Sequence, residues 1–305
     1  MSLVNIIRKT QIRVNEPRIK ANPNPYNVFI TRDIPYRDDD NPYHLLDVYS
    51  PHNQRELLPV IVEIHGGGYI SCCKEINAQH GQYLASKGFH VVNINYSLCP
   101  EFGIHDEFQE LNDVLHWIKN NAEVYGFDTD HVSLTGDSSG GHIVLLAAAI
   151  YSSGKSADYF RIQPPELKPI AYTASCPEGS FRWELLPHTI TAKFLFFLLH
   201  RYTFDPECTK YASYEYYMDE HYPKVWICTT PTDKLLYDHT VRMHDYMVEN
   251  GIEHEYREYK ASEGKLGHVF NVLSPDLPES RAANDDMIAY LKNMPGVQPS
   301  AGHAP

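Results

Sequence analysis

Five stretches of the chain, residues 60–64, 90–95, 131–135, 169–175 and 225–229, are short runs rich in apolar and β-branched residues, bounded by turn-formers. Such runs suit strands buried on both faces, whose side chains meet apolar neighbours whichever way they point. Residues 28–36 and 45–49 precede them, and 253–259 follows with polar and aromatic residues alternating, as expected of a strand near a sheet edge. From the third strand onward, helical patterns fill the gaps. Phe108, Leu111, Leu115 and Ile118 recur at a spacing that places them on one face of an amphipathic helix just before the 131–135 strand. This alternation predicts an α/β fold in which a mostly parallel, eight-stranded sheet carries helices on both faces and binds ligands at the carboxyl ends of its strands. Residues 1–26 are polar and proline-bearing, and read as an N-terminal arm or helix that covers the site.

Chemistry gathers at two of the predicted strand ends. His131-Val132-Ser133-Leu134-Thr135 runs into Gly136-Asp137-Ser138-Ser139-Gly140, and an apolar stretch from His142 to Ile150 follows. Ser138 therefore falls on a strand-to-helix turn, a strained position that lifts a hydroxyl clear of the sheet. The flanking glycines let neighbouring backbone approach without a Cβ clash. Upstream, Pro59-Val60-Ile61-Val62-Glu63-Ile64 leads directly into His65-Gly66-Gly67-Gly68-Tyr69. Three glycines after a strand expose backbone N–H groups, the donors that acyl transfer needs when negative charge develops on a carbonyl oxygen. His65 reads as an organiser of that loop rather than as a catalytic base.

Four elements appear in order: His65-Gly66-Gly67-Gly68, Tyr96-Ser97-Leu98-Cys99-Pro100-Glu101, Gly136-Asp137-Ser138-Ser139-Gly140-Gly141 and Gly267-His268-Val269-Phe270. Together they resemble the α/β-hydrolase esterases of the hormone-sensitive-lipase-like group, from about residue 27 to residue 293. Family members commonly carry Arg-Leu-Ala-Pro-Glu after the tyrosine and Asp-Ser-Ala-Gly-Gly at the nucleophile, where this chain has Ser97, Cys99 and Ser139. The resemblance implies backbone donors at Gly67, Gly68 and Ser139, and leaves open which two of the three loop glycines point inward. It also implies that the insertion at about 178–222, dense in aromatic residues, forms a helical lid with Phe181, Trp183 and Phe197 against the substrate.

The fold orders a triad as serine, acid, histidine along the chain. Lys224-Val225-Trp226-Ile227-Cys228-Thr229-Thr230 ends in Pro231-Thr232-Asp233, which puts a carboxylate at a strand end. Asp233 is the expected acid, with Asp238 in reserve. The base is expected on the loop after the last strand, which selects His268 over His254 inside that strand and over His239 and His244 on the preceding helix.

Composition narrows the class. At 305 residues with 43% hydrophobic positions, the chain has ample material for one α/β domain (1–305), with a flexible tail at 297–305. No run of about 18 apolar residues offers a membrane span, and the N-terminus lacks the features of a signal peptide, which points to a cytoplasmic location. The six cysteines follow no disulfide or zinc spacing and read as free thiols. A formal charge of −13 argues against nucleic acid as a partner. No metal-ligand motif is present, so neither a catalytic metal nor a cofactor is expected. The expected function is a serine carboxylesterase acting on a small-molecule ester, with short acyl chains preferred. A deacetylase of decorated sugars or a peptidase or amidase on the same machinery is the alternative, and a non-catalytic binding protein is less favoured. The oligomeric state, a homo-oligomer included, stays open.

Overall fold

The computed structural model describes residues 3–21, 23–52, 56–152, 154–180 and 210–295. Phe181, Trp183 and Phe197, most of the expected lid, Cys208 and the 297–305 tail lie outside them.

One eight-stranded sheet organises the chain. Its strands are β1 (Phe29–Pro35), β2 (Leu45–Ser50), β3 (Leu58–Ile64), β4 (His90–Ile94), β5 (Phe127–Asp137), β6 (Ala171–Ser175), β7 (Val225–Thr229) and β8 (His254–Glu258). They lie in the order β1-β2-β4-β3-β5-β6-β7-β8. β2 pairs antiparallel with both β1 and β4, and every pairing from β4 through β8 is parallel. All the expected strands are found. β5 begins earlier than expected because Phe127 and Asp128 pair with Leu58 and Pro59 across a register shift. The polar Asp128-Thr129-Asp130 segment had concealed that pairing.

Side chains alternate across the sheet, and each face has its own apolar layer. On one face Val60, Val62 and Ile64 of β3 join Val132 and Leu134 of β5. They pack under α3 (Ile104–Asn120) and α5 (Ser139–Ser152). The expected α3 stripe is in place, with Phe108, Leu111, Leu115 and Ile118 all at most 1% exposed. On the other face Ile61 and Val91 meet α2 (Ala78–Ser86) and α10 (Pro278–Lys292). Short helices α4 (Ala122–Tyr125), α6 (Gly154–Phe160), α7 (Tyr214–Tyr217) and α9 (Phe270–Leu273), with α8 (Tyr237–Glu249), fill the connections. α5 is apolar on all sides because it is buried on all sides, with Ile143 to Ala149 at most 2% exposed. The edge strand β8 carries Glu255, Arg257 and Glu258, and such charges discourage pairing with another chain.

The N-terminal segment forms α1 (Leu3–Ala21), tied down at both ends. Arg8 donates from Nε to the Ile70 carbonyl and from Nη2 to the Cys99 carbonyl, each at 2.7 Å, and pairs with Glu101. Arg18 donates to the Leu273 and Val272 carbonyls. Past residue 210, the described part of the expected lid packs into the main core. Tyr214 and Tyr217 are buried there, with Tyr217 edge-on to His142. Among the described residues no helix is long and apolar enough to cross a membrane.

Candidate active site

Ser138 follows the last residue of β5 and precedes α5, with φ of 53°. A non-glycine residue in this region is strained and persists only where its surroundings hold it. Here the Ser138 N–H donates to the Ser175 carbonyl at 3.0 Å, and its own carbonyl accepts from His142 N–H at 3.0 Å and Glu178 N–H at 3.2 Å. Glycine is obligatory beside it. A Cβ on Gly136 would sit 2.5 Å from the Gly140 backbone, and one on Gly140 would sit 2.2 Å from the Ile64 carbonyl oxygen. Gly136 thus lets the turn fold tightly on itself, and Gly140 lets it press against the end of β3.

The loop after β3 lies against that turn. His65 is buried, which pushes its pKa down and keeps the ring neutral. Nδ1 lies 2.6 Å from the Gly66 carbonyl, and the ring stacks on Tyr96 at a centroid distance of 4.4 Å. The Tyr96 hydroxyl donates to the His65 carbonyl at 2.7 Å. His65 is built into the loop and organises it, as its sequence context suggested. Gly66 N–H donates to Asp137 Oδ1 at 3.1 Å, an oxygen that also accepts from Asn77 Nδ2 at 2.8 Å. Gly67 and Gly68 have φ of 126° and 62°, conformations that disfavour other residues. Gly68 N–H does not point into open space. It donates to the Ser139 hydroxyl oxygen at 2.9 Å.

Asp233 lies on the turn after β7 and His268 on the loop after β8, 35 residues apart in sequence. His268 Nδ1 is 2.7 Å from Asp233 Oδ2. The other carboxylate oxygen accepts from Leu235 N–H at 2.8 Å and Leu236 N–H at 3.2 Å. Burial alone would push the Asp233 pKa up, but His268 and the two backbone donors outweigh it and hold the carboxyl below its ordinary value. The carboxylate is therefore charged at neutral pH and fixes the imidazole with its N–H at Nδ1. Nε2 has no hydrogen-bond partner among the described residues. The alternatives lie elsewhere. Asp238 is exposed in the first turn of α8. His254 Nε2 contacts His244 at 2.7 Å on the far edge of the sheet, and His239 is buried within α8.

Ser138, His268 and the glycine loop line one cavity of about 320 Å3. Its remaining walls are largely apolar, from Ile70, Ile76, Leu236 and Val269, and α1 closes one side with Ile7, Gln11, Val14 and Asn15. Three contributors went unread in the sequence. Asp137 was visible inside the Gly-Asp-Ser motif but had no assigned task. Arg8 and Arg18 carry no local signal, because their partners are 62 to 255 residues away. Cys176 lies close enough to Asp233 and His268 that one ligand atom from each falls within 4.8 Å of the others. Burial raises that thiol's pKa, which favours its protonated form.

Comparison with known proteins agrees with this geometry. The BD-FAE family model matches residues 46–173, which span β2 to β6 and include both glycine motifs. A probable isoprenylcysteine alpha-carbonyl methylesterase ICMEL1 from Oryza sativa subsp. japonica is 34% identical over 119 residues, covering 38% of this chain and 28% of that protein. The non-reducing polyketide synthase atr1 from Stereocaulon alpinum is 32% identical over 125 residues, which are 38% of this chain but 5% of the synthase. The chain thus spans under a third of the length of these curated relatives. Solved structures match far more of it. Esterase B from Lactobacillus rhamnosis, inhibited by a tributyrin phosphonate, has a TM-score of 0.83 and 25% identity over 95% of this chain and 94% of that one. A Pyrobaculum calidifontis esterase has a TM-score of 0.73 and 22% identity over 96% and 93%. The chain therefore has the α/β-hydrolase fold implied by its resemblance to the hormone-sensitive-lipase-like esterases, and the solved proteins it matches over nearly its whole length include esterases.

Proposed function

We propose that this protein is a serine carboxylesterase in which Ser138 is the nucleophile, His268 the general base and acid, and Asp233 the residue that orients and charges the imidazole. The 2.7 Å contact between His268 and Asp233, on a cavity shared with a strained serine and a glycine loop, carries the reading. With N–H at Nδ1, the Nε2 lone pair is available to take the Ser138 proton as Oγ attacks the ester carbonyl. The Asp233 carboxylate stabilises the imidazolium that results. The tetrahedral oxyanion is received by backbone N–H groups at the junction of the glycine loop and the start of α5. Collapse expels the alcohol, which takes the proton back from Nε2 and leaves an acyl group on Ser138. Water activated by the same nitrogen then releases the acid.

The cavity supports small substrates. At about 320 Å3 it is near the lower end of the range for ligand sites, about 300–1,000 Å3. Its apolar walls suit a short acyl chain of about two to six carbons, with the remaining volume left to the alcohol part of the ester. Two of the similar proteins, a probable methylesterase and an esterase inhibited by a tributyrin phosphonate, point the same way. A reducing, cytoplasmic setting fits the described cysteines, which are free thiols.

The test is labelling by a fluorophosphonate probe followed by peptide mapping, together with rates on matched acyl esters and aminoacyl amides. Labelling at Ser138 and faster ester cleavage are expected. An unlabelled Ser138, or amides cleaved faster than esters, would overturn the reading.

A further inference from the structure

Ser139 Oγ accepts hydrogen bonds from Gly68 N–H at 2.9 Å and Tyr69 N–H at 3.3 Å. The side chain is fully buried, so water does not stand in for these donors. Close by, the Tyr96 phenol donates to the His65 carbonyl at 2.7 Å. On the other side of Ser138, Asp137 holds Gly66 N–H. The two residues flanking the nucleophile therefore grip the glycine loop through their side chains, one at each end.

This leaves an uneven set of donors. Gly68 N–H is committed, and it would have to give up a buried hydrogen bond to meet an oxyanion. Gly67 N–H and Ser139 N–H have no partner among the described residues. Gly67 lies against the Ser71 backbone, where a Cβ would meet the carbonyl oxygen at 2.0 Å, so only glycine fits there. Ser139 is the first residue of α5, where N–H groups lack intrahelical acceptors and the helix dipole favours negative charge.

We propose that the Ser139 hydroxyl is a positioning group, which holds Gly68 N–H back and sets the loop so that Gly67 N–H and Ser139 N–H receive the oxyanion. The proposal rests on the serine-esterase reading of Ser138. Ser139 keeps its backbone donor whatever its side chain, so removing the hydroxyl isolates the effect on the loop. Transition-state stabilisation then falls because the Gly67 donor is no longer held in place, while ground-state binding in the apolar cavity stays.

The experiment is Ser139→Ala, measured on p-nitrophenyl butyrate and with butylboronic acid, whose tetrahedral adduct with serine places an oxygen where the oxyanion forms. The expected result is a fall in kcat of fivefold or more, KM within threefold, and boronate binding weakened at least fivefold. A hydroxyl with a merely structural role would lower Tm and leave kcat and boronate affinity alone. A folded variant that loses less than fivefold in either would overturn the proposal, as would one that turns over faster. Should Ser139→Ala fail to fold, Ser139→Cys keeps the bulk with only a weak acceptor, and the same two constants decide. Fluorophosphonate labelling of the wild type runs alongside. If the wild type is unlabelled at Ser138, the esterase reading falls and this proposal with it. If it is labelled and Ser139→Ala is indifferent, the proposal alone falls.

Discussion

Ser138, Asp233 and His268 make different demands on their surroundings, and substitutions separate them. Ser138→Ala removes the oxygen proposed to attack while leaving the glycines that shape the turn. The expected loss in kcat is on the order of 10^4 to 10^6 with an unchanged melting temperature, since triad members act as a unit. Retention of more than about a tenth of the wild-type rate would sink the assignment. Asp233→Asn replaces the oxygen that meets His268 Nδ1 with a group able to donate there, which favours the wrong tautomer, and a loss of about 10^4 is expected. His268→Ala should be similarly impaired. Asp238→Asn and His254→Ala should cost less than about threefold, because an exposed helix-start carboxylate and an edge-strand imidazole lie outside the cavity. A ranking by kcat/KM that put Asp238→Asn below Asp233→Asn would reverse the choice of acid.

Among the elements, α1 has the weakest sequence signal and a direct bearing on the cavity. Beside the packing of Val4 and Ile7 on the core, two arginines tie it down, and both reach backbone carbonyls close to the cavity: Ile70 and Cys99 for Arg8, Leu273 and Val272 for Arg18. Arg18 is half-buried, and burial lowers its pKa, partly offset by the negative charges of Asp137 and Glu63. Losing either arginine leaves buried carbonyls short of a donor, at about 1–3 kcal/mol each. That cost falls on the attachment of one helix, so the combined Arg8→Ala, Arg18→Ala protein should show faster amide hydrogen exchange over residues 3–21. Protection in β3 to β7 should stay as in the wild type. With α1 loosened, the side of the cavity formed by Ile7, Gln11, Val14 and Asn15 opens, and the preferred acyl chain should lengthen. Unchanged exchange over residues 3–21 would show that α1 is held by something other than these two side chains.

Taken whole, the molecule sets its substrate size and its acid sensitivity. The cavity predicts a rate maximum between about two and six acyl carbons on a p-nitrophenyl ester series, since larger ligands need volumes further up the range for ligand sites. A maximum at ten carbons or beyond, or activation at an oil–water interface, would mark a lipase. Acid sensitivity has a specific source in His90 at the start of β4, where burial against Phe127 drives the imidazole pKa down from 6.5 to about 4, slightly offset by the Gly126 carbonyl. Between pH 6.5 and 4 the unfolded chain takes up a proton that the native state refuses, so stability falls as pH falls through that window. At 1.36 kcal/mol per pKa unit, the loss is about 3 kcal/mol. Denaturant melts of the wild type and His90→Gln should diverge in slope against pH only in this interval, and parallel curves would refute the attribution.

The strands and the nucleophile turn were legible in the sequence because each depends on local sterics. Buried β-branched runs specify strands, and Gly136 and Gly140 are the residues that allow backbone to approach within contact of backbone. That Asp233 and His268 follow neighbouring strands and can meet was legible through chain order, since a parallel sheet brings successive strand ends to one edge. What the tertiary structure decided is where polar side chains find distant partners. Nothing near Arg8, Arg18 or Asp137 in the chain announces the carbonyls and N–H groups they hold, and the Glu63–His80–Asn284 chain beneath the sheet links residues up to 221 positions apart. The same limit applied to the glycine loop. A sequence shows that three glycines expose donors, but only packing shows that Gly68 N–H is already taken by Ser139 while Gly67 N–H has no partner among the described residues, because hydrogen-bond partners depend on distances that spacing along a chain does not encode.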